Sequence, residues 1–171
     1  MPVAKIVILN WNGAEHLRRF LPSVVAAAPA GVEVMVADNG STDDSLGVLA
    51  TEFPSVGVLR LEANYGFAGG YNRALKQVEA DYYLLLNSDI ETPEGWLAPI
   101  LDVLEREPDV AVVSPKLISW TDRTKFEYAG ASGGFIDFLG YPFCRGRILF
   151  TTERDEGQYD TFRSCFWNSS V

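Results

Sequence analysis

The sequence predicts an α/β fold, in which helices flank a mainly parallel sheet. Short β-branched runs alternate with helix-like segments over the first two-thirds of the 171 residues. Strands and helices that alternate in this way form right-handed βαβ units, which place the strands parallel. Hydrophobic residues make up 47% of the chain and charged residues 22%, an ordinary globular composition. The length indicates one domain, residues 1–171.

Five apolar runs are predicted as strands, at residues 3–9, 32–37, 56–61, 82–86 and 110–113. The fourth run, YYLLL, is apolar throughout, as expected of a strand that is covered on both faces. Helices are predicted at residues 14–27, from 41 to about 53, from the glycine-rich turn at 64–70 to 77, and at 92–107. Beyond about residue 119, glycines separate aromatic and polar residues, which predicts loops and short antiparallel strands.

Three sequence signals mark where these helices begin. Asn12 is predicted to cap the first helix. Ser41 and Asp44 resemble a capping box for the second helix, with Asp in place of Glu. Pro93 is typical of the first position of a helix, and it opens the fourth.

Charge and cysteine content exclude several classes of protein. The formal net charge is −9, which argues against a nucleic-acid groove because such grooves need clustered Lys and Arg. Cys144 and Cys165 are too few and too far apart for a zinc ribbon or a disulfide framework, so two reduced thiols are expected. No signal peptide is recognised and no run reaches the ~20 apolar residues that span a bilayer. We therefore expect a cytoplasmic protein, with peripheral association at the inner face of the membrane left open.

Polar residues follow four of the predicted strands. Open parallel sheets bind ligands outside the carboxyl ends of their strands, so these residues are the candidate ligand site. They are Asn10, Trp11 and Asn12 after the first strand, Asp38 after the second, Asn64, Gly66, Gly69, Gly70 and Asn72 after the third, and Asn87, Ser88 and Asp89 after the fourth.

Each candidate has a structural alternative. Asp38 can accept hydrogen bonds from a base or a ribose, or it can cap its own turn. Trp11 can pack beside a base or serve as a rim or core aromatic. The glycine-rich stretch opens a helix whose N–H groups can hold a diphosphate, although the glycines can also serve a tight turn. Asp89 can bind a hard divalent cation that bridges phosphates, or cap the helix that follows.

Taken together, four segments resemble the family 2 glycosyltransferases, and in particular their rhamnosyltransferase-like branch. The order and spacing agree over roughly residues 3–117 for the segments IVILNWNG (6–13), VADNGSTD (36–43), NYGFAGGYN (64–72) and LLLNSD (84–89). The resemblance implies the GT-A fold, a Rossmann-like sheet that binds nucleotide-diphospho-sugars. It also implies that Asp38 contacts the base and that Asn87-Ser88-Asp89 takes the place of the metal-binding D-x-D motif.

The sequence departs from the family pattern at two positions. Asn87 replaces the first acid of D-x-D, so the resemblance leaves the divalent cation, Mg²⁺ or Mn²⁺, to Asp89. Tyr71 stands where some members carry an Arg before the Asn of the glycine-rich loop, which removes a cationic contact to the diphosphate.

The activity that the resemblance implies is inverting transfer of a sugar from a nucleotide-diphosphate donor to a saccharide or lipid-linked acceptor. A dTDP-rhamnose donor is suggested by the GFAGG stretch alone. Residues 1–118 would bind the donor, and residues 119–171 would begin the acceptor side. Because the chain stops inside a strand-like run and the family's general base lies further along, we expect a truncated chain that binds donor and is inactive in transfer.

Two alternatives stay open at this point. A nucleotide-sugar-binding module without transferase activity is favoured by Asn87 and by the abrupt end of the chain. A nucleotidyltransferase on a related sheet is disfavoured, because the first strand ends in Asn10-Trp11-Asn12-Gly13 and not in a glycine-rich loop with Arg and Lys.

Overall fold

A computed structural model describes residues 3–128 and 132–165. The chain divides into two compact units, Met1–Pro99 and Ile100–Val171, which are described separately. The sequence assigns donor binding to residues 1–118 and the start of the acceptor side to residues 119–171. Both assignments concern function and stay predictions.

The first unit is a parallel sheet with helices between its strands, as the sequence predicts. Its elements are β1 (Ala4–Asn10), α1 (Ala14–Ala27), β2 (Glu33–Asp38), α2 (Ser45–Glu52), β3 (Gly57–Arg60), α3 (Gly66–Leu75) and β4 (Tyr82–Asn87). The four strands pair in parallel in the order β3-β2-β1-β4. The strand order therefore reverses beside β1, and such a switch point is where open α/β sheets bind ligands.

Strand β1 forms the centre of this unit because its side chains are buried on both faces. Val7 packs in a cluster with Ala37 of β2 and with Tyr71 and Ala74 of α3. Ile6 and Ile8 alternate with Val7, so they lie on the opposite face of the sheet, and both are buried. A central strand covered on both faces fixes the position of the residues that follow its carboxyl end.

Helix α1 buries one stripe, formed by Leu17, Leu21 and Val24 at helical spacing. Helix α2 is tied to it by Arg18, whose guanidinium contacts Asp44 at 3.3 Å and Glu52 at 2.9 Å. These exposed ion pairs contribute little stability, so the buried stripe positions α1.

Both predicted caps are wrong. Gly13, not Asn12, is the N-cap residue of α1, and the N–H of Ala14 donates to the carboxylate of Asp43 at 3.0 Å. Helix α2 begins at Ser45, and Asp43 accepts hydrogen bonds from its N–H and its hydroxyl. Ser41 is used elsewhere: its hydroxyl accepts from the N–H of Asn12 at 2.9 Å. Long-range contacts between the two loops displace the local caps that the sequence suggests.

Strand β4 and the helix after it differ in part from the prediction. Tyr83 and Leu85 are exposed, so the expectation that both faces of β4 are covered is wrong. This strand lies at the end of the sheet order, where one neighbour is absent among the described residues. Helix α4 spans Ala98–Arg106, so Pro93 begins a turn and not the helix. Gly95, with φ 75°, interrupts the segment between them.

The second unit contains two short antiparallel hairpins. They are β5 (Gly134–Ile136) with β6 (Pro142–Cys144), and β7 (Arg147–Ile148) with β8 (Thr151–Thr152). Phe126 and Cys144 are buried together, and Ile118 and Tyr159 pack against them. Short antiparallel strands beyond residue 119 are thus confirmed. Cys144 and Cys165 are free thiols.

The predicted fifth strand, residues 110–113, does not form. Within the described ranges this run has no paired strand, and Val112 is 67% exposed. A β-branched run forms a strand only where a neighbour supplies the other half of the hydrogen-bond ladder. The sequence of the run carries no information about that neighbour.

Candidate functional site

The sheet register brings all four candidate strand ends to one edge, since Arg60, the last residue of β3, also lies opposite Asp38. Asn10, the last residue of β1, lies opposite Asp38, the last residue of β2. On the other side of β1, Leu9 lies opposite Asn87, which ends β4. The carboxyl ends of β2, β1 and β4 are therefore neighbours, and the loops that follow them begin at the same edge.

Asp38 and Asn10 form a buried pair at this edge. The amide of Asn10 donates to Oδ1 of Asp38 at 3.1 Å and to the hydroxyl of Ser41 at 3.2 Å. The other carboxylate oxygen of Asp38 accepts the N–H of Ser41 at 3.0 Å. The turn-capping role of Asp38 is thus confirmed. Asp38 is only 2% exposed, but a carboxylate accepts about four hydrogen bonds and these contacts use two of them.

Asn10 has an unpaired acceptor. Its side chain is fully buried, and its Oδ1 has no hydrogen-bond partner among the described residues. A methyl group placed on Gly13 would lie 2.4 Å from this oxygen, so the glycine lets the loop pass close to it. An unsatisfied buried acceptor costs about 1–3 kcal/mol, and a donor that reaches it would recover that cost.

The loop after β1 presents one aromatic side chain and anchors another loop. Trp11 is 55% exposed, so a core role for it is wrong. Asn12 is exposed and has φ 51°, in the left-handed region that Asn tolerates. Its Oδ1 accepts the N–H of Thr42 at 2.7 Å and that of Asp43 at 3.3 Å. Asn12 therefore holds the loop after β2 against the loop after β1.

Asn39 joins the loop after β2 to the loop after β3, and its role was not predicted. Its side chain is buried and donates to Oδ1 of Asn64 at 3.0 Å and to the carbonyl of Gly66 at 3.1 Å. It also accepts the N–H of Tyr65 at 3.1 Å. Asn39 lies inside the VADNGSTD segment, but its partners are more than 20 residues away, so only the fold reveals them.

Helix α3 begins inside the glycine-rich stretch, at Gly66. Gly66 has φ 68°, and its N–H donates to Asn64 at 2.8 Å. The N-cap residue Tyr65 provides no side-chain hydrogen bond to the first turn. The first N–H groups of a helix have no partner within the helix, and together with the helix dipole they attract anions.

The remaining residues of this stretch differ in exposure. Gly70 is buried, and a methyl group on it would lie 2.9 Å from Leu9 Cδ1 and 3.0 Å from Asn39 Nδ2, so its role is close packing. Gly69 is half-buried and Asn72 is exposed. Arg73 was not predicted as a site residue; its guanidinium lies 3.7 Å from the centre of the Tyr65 ring and donates to the carbonyl of Gly69. It supplies a cation beside the start of α3.

Three residues at the end of β4 have side-chain oxygens of the kind that bind a cation, and these residues differ in exposure. Asn87 and Ser88 are half-buried, and Asp89 is exposed in the turn that follows. The hydroxyl of Ser88 lies 3.5 Å from the position of a methyl group on Gly13, so the loop after β4 reaches the loop after β1. The strand end is fixed by Tyr71, whose buried hydroxyl donates to the carbonyl of Leu86 at 2.9 Å. Burial raises the pKa of Tyr71 to about 12.

The side-chain oxygens at this turn fit a hard cation whose remaining ligands are phosphate oxygens and water. Across residues 3–128 and 132–165, no group of three or more His, Cys, Asp and Glu side chains could hold a metal ion. Mg²⁺ usually takes one or two protein carboxylates, and phosphate oxygens and water complete its shell. Asp89, with the oxygens of Asn87 and Ser88 beside it in the chain, matches that requirement and not the requirement for a cage built from protein ligands alone.

Comparison with known proteins identifies relatives over nearly the whole chain. The family model described as glycosyl transferase family 2 matches residues 5–166. The chain is 29% identical over 183 aligned residues to an N-acetylglucosaminyl-diphospho-decaprenol L-rhamnosyltransferase of Mycobacterium tuberculosis, covering 98% of this chain and 59% of that relative. It is 33% identical over 113 residues to an undecaprenyl-phosphate 4-deoxy-4-formamido-L-arabinose transferase of Sodalis glossinidius, covering 61% of this chain and 34% of the relative.

A solved structure shares the fold. Residues 1–349 of S. aureus TarS superpose with a TM-score of 0.54 at 22% identity, covering 68% of this chain and 39% of that one. TarS has also been solved in complex with UDP-GlcNAc. The chain spans about three fifths of the length of the mycobacterial relative. None of the helices in the described residues combines the length and the apolar character needed to cross a membrane.

Proposed function

Because the chain belongs to glycosyl transferase family 2, we propose that it forms the donor-binding part of an inverting glycosyltransferase. One observation supports this more than any other. The sheet register brings the ends of β2, β1 and β4 to a single edge beside the switch point, with the exposed carboxylate of Asp89 in the turn after β4. A nucleotide-diphosphate needs a base site, an anion site and a cation site close together, and this edge offers a candidate for each.

We assign the base and ribose to the loops after β1 and β2. The exposed ring of Trp11 offers a face for stacking on a base. Asp38 keeps free lone pairs for a base or ribose donor, and the unpaired Oδ1 of Asn10 gives a second acceptor at the same strand ends. Because Asn10 and Asp38 are buried, a ligand reaches them only if the residues that cover them shift.

We assign the diphosphate to the start of α3 and to the turn after β4. The N–H groups of the first turn of α3 beyond that of Gly66, which donates to Asn64, would bind phosphate oxygens, and Arg73 adds a positive charge beside them. Asp89 would hold the divalent cation, Mg²⁺ or Mn²⁺, with Asn87 and Ser88 next to it. A bound cation of this kind neutralises the charge that develops on a departing diphosphate. Gly40, Gly66 and Asn39 keep these loops in place.

No catalytic base is assigned to the described residues, because three acids that could serve are engaged elsewhere. Asp122 accepts hydrogen bonds from Thr124, and its pKa is lowered, chiefly by the Thr124 hydroxyl. Asp137 accepts two backbone N–H groups within its own turn. Asp160 pairs with Lys116. These contacts favour a structural role for all three carboxylates.

The acceptor and the sugar belong to the same proposal. Two relatives are named for transfer reactions on polyprenyl-linked compounds. A saccharide or lipid-linked acceptor is therefore the class we propose, with dTDP-rhamnose as the first donor to test. We also propose a cytoplasmic location, with peripheral association at the inner face of the membrane.

A thermal-shift screen of nucleotide-sugars tests the proposal, because a ligand that binds only the native state raises the melting temperature. We expect dTDP- or UDP-sugars to stabilise the chain in the presence of Mn²⁺, and Asp89→Ala to remove the metal-dependent part of the shift. Asp102→Ala, at an exposed position of helix α4, serves as the matched control. An Asp89→Ala protein that keeps the full metal-dependent shift would overturn the assignment of Asp89.

A transfer assay separates an enzyme from a binding module. Metal-dependent donor binding by a chain extended to the length of its relatives, without sugar transfer to any polyprenyl-linked acceptor, would favour the module. Release of nucleoside diphosphate with transfer of the sugar would favour the transferase.

A further inference from the structure

Phe67 is a large apolar residue in the first turn of α3, on the side of the helix that faces the sheet. That side is buried further along the helix, at Gly70, Tyr71 and Ala74. Phe67 lies three and four residues before Gly70 and Tyr71, so it shares their side of the helix. It is nevertheless 50% exposed. The sheet therefore does not cover this side of α3 at its first turn.

Helix α3 starts at the carboxyl edge of the sheet, because it follows β3 and leads back to the parallel strand β4. Gly70 lies against Leu9, since a methyl group on it would be 2.9 Å from Leu9 Cδ1. The hydroxyl of Tyr71 donates to the carbonyl of Leu86 at 2.9 Å. These leucines are the second-last residues of β1 and β4, and Phe67 lies one helical turn, about 5 Å, nearer to the start of α3. Because side chains in a helix lean toward its start, the ring of Phe67 lies beyond the ends of both strands.

The first turn of α3 has apolar side chains next to its N–H groups. The ring of Phe67 meets the ring of Tyr71 edge to face, with centres 5.0 Å apart and an angle of 75° between the planes. Such a contact is favourable and restrains the ring. Gly66, Ala68 and Gly69, the other residues of this turn, have no polar side-chain group. A ligand group bonded to a phosphate at this turn would therefore meet an apolar surface.

We propose that Phe67 packs against the donor sugar and selects a 6-deoxy sugar. This role of Phe67 depends on the proposed function, in which N–H groups of the same turn bind the diphosphate. The sugar is bonded to the second phosphate, so it lies within reach of the turn. A 6-deoxy sugar carries a methyl group on C5, and packing that methyl against the ring removes apolar surface from water. A hexose carries a hydroxymethyl group there, whose hydroxyl would lose water without gaining a partner at Phe67.

Isothermal titration calorimetry in the presence of Mg²⁺ tests this role with dTDP, dTDP-L-rhamnose and dTDP-L-mannose. The two sugars differ only by a hydroxyl group on C6. We expect the unchanged chain to bind dTDP-L-rhamnose about tenfold more tightly than dTDP-L-mannose, the lower end of what one small group contributes in an apolar pocket. In Phe67→Ala and in Phe67→Gln the two affinities should fall within about twofold of each other, because the apolar contact is lost. The affinity for dTDP should stay unchanged. Phe150→Ala makes the same exchange at a phenylalanine that is 89% exposed, and it should keep the preference.

The affinity for dTDP separates the two proposals. If dTDP fails to bind the unchanged chain, the proposed function fails and the role of Phe67 fails with it. If dTDP binds, but the unchanged chain does not distinguish the two sugars or both Phe67 variants keep the preference, only the role of Phe67 is overturned. That role is also overturned if both variants, folded by circular dichroism, lose as much affinity for dTDP as for dTDP-L-rhamnose, because the ring would then contact the nucleotide and not the sugar.

Discussion

At the scale of single residues, the side chains at the strand ends have two roles: some hold the loops in place, and others are exposed to a ligand. Asp38, Asn39 and Asn10 are buried and hold loops in place. Trp11 and Asp89 are exposed, so they are free to meet a ligand. The sequence predicts that these residues share an edge, because parallel strands end together. It does not predict which of them are buried, since burial depends on how the following loops fold back.

Replacing the two acids separates these roles. Asp38→Asn replaces one carboxylate oxygen, which accepts a hydrogen bond, with an NH₂ group that faces an N–H donor. The free energy of unfolding should therefore fall by about 1–3 kcal/mol. Asp89→Asn is the matched control at an exposed position and should change stability by less than about 0.5 kcal/mol. Urea denaturation of both variants measures the difference. Equal stability of the two variants would show that the buried Asp38 network contributes little.

At the scale of elements, the predicted strands β1 to β4 form because each apolar run finds a parallel neighbour. The run at 110–113 has the same composition but finds no such neighbour in the described part of the chain, and it stays unpaired. The residues that begin the helices were predicted unevenly: α1 has the predicted bounds, Ala14–Ala27, but its predicted cap is wrong. The local signals at Asn12, Ser41 and Pro93 compete with contacts between loops, and at Asn12 and Ser41 those contacts take up the capping side chains.

Two glycines in neighbouring loops test how closely these elements pack. A methyl group on Gly40, at φ 73°, would lie 2.6 Å from the backbone of Ala63. Gly40→Ala therefore adds a clash to the strain of a left-handed residue, and we expect a loss of about 3 kcal/mol or more. Gly66→Ala, at φ 68°, meets none of the described atoms within 4 Å and should cost only the strain, about 1–2 kcal/mol.

Urea unfolding of the two glycine variants gives the comparison, with the unchanged chain as reference. Equal losses would mean that the loops after β2 and β3 are not in close contact, and would weaken the role given to Asn39 between them.

At the scale of the whole molecule, the family and the parallel sheet could be predicted, because four motifs in a fixed order constrain both. The contacts between the loops could not, because they join residues that are far apart in sequence. The short antiparallel strands of the second unit could be predicted as a type, but their bounds could not, because such short strands carry little periodicity. The chain spans about three fifths of the mycobacterial relative, so transfer activity, sugar and acceptor are proposals about the protein as a whole.

The central claim is that one sheet edge binds a nucleotide-diphosphate together with its cation. Amide NMR spectra of the chain, titrated with dTDP or UDP and Mg²⁺, test it most directly. We predict shifts in the loops at residues 11–13, 38–43, 64–70 and 87–89, and we predict that Mn²⁺ in place of Mg²⁺ broadens the signals nearest Asp89 first. Shifts confined to other parts of the chain, or broadening centred away from the turn after β4, would contradict the account.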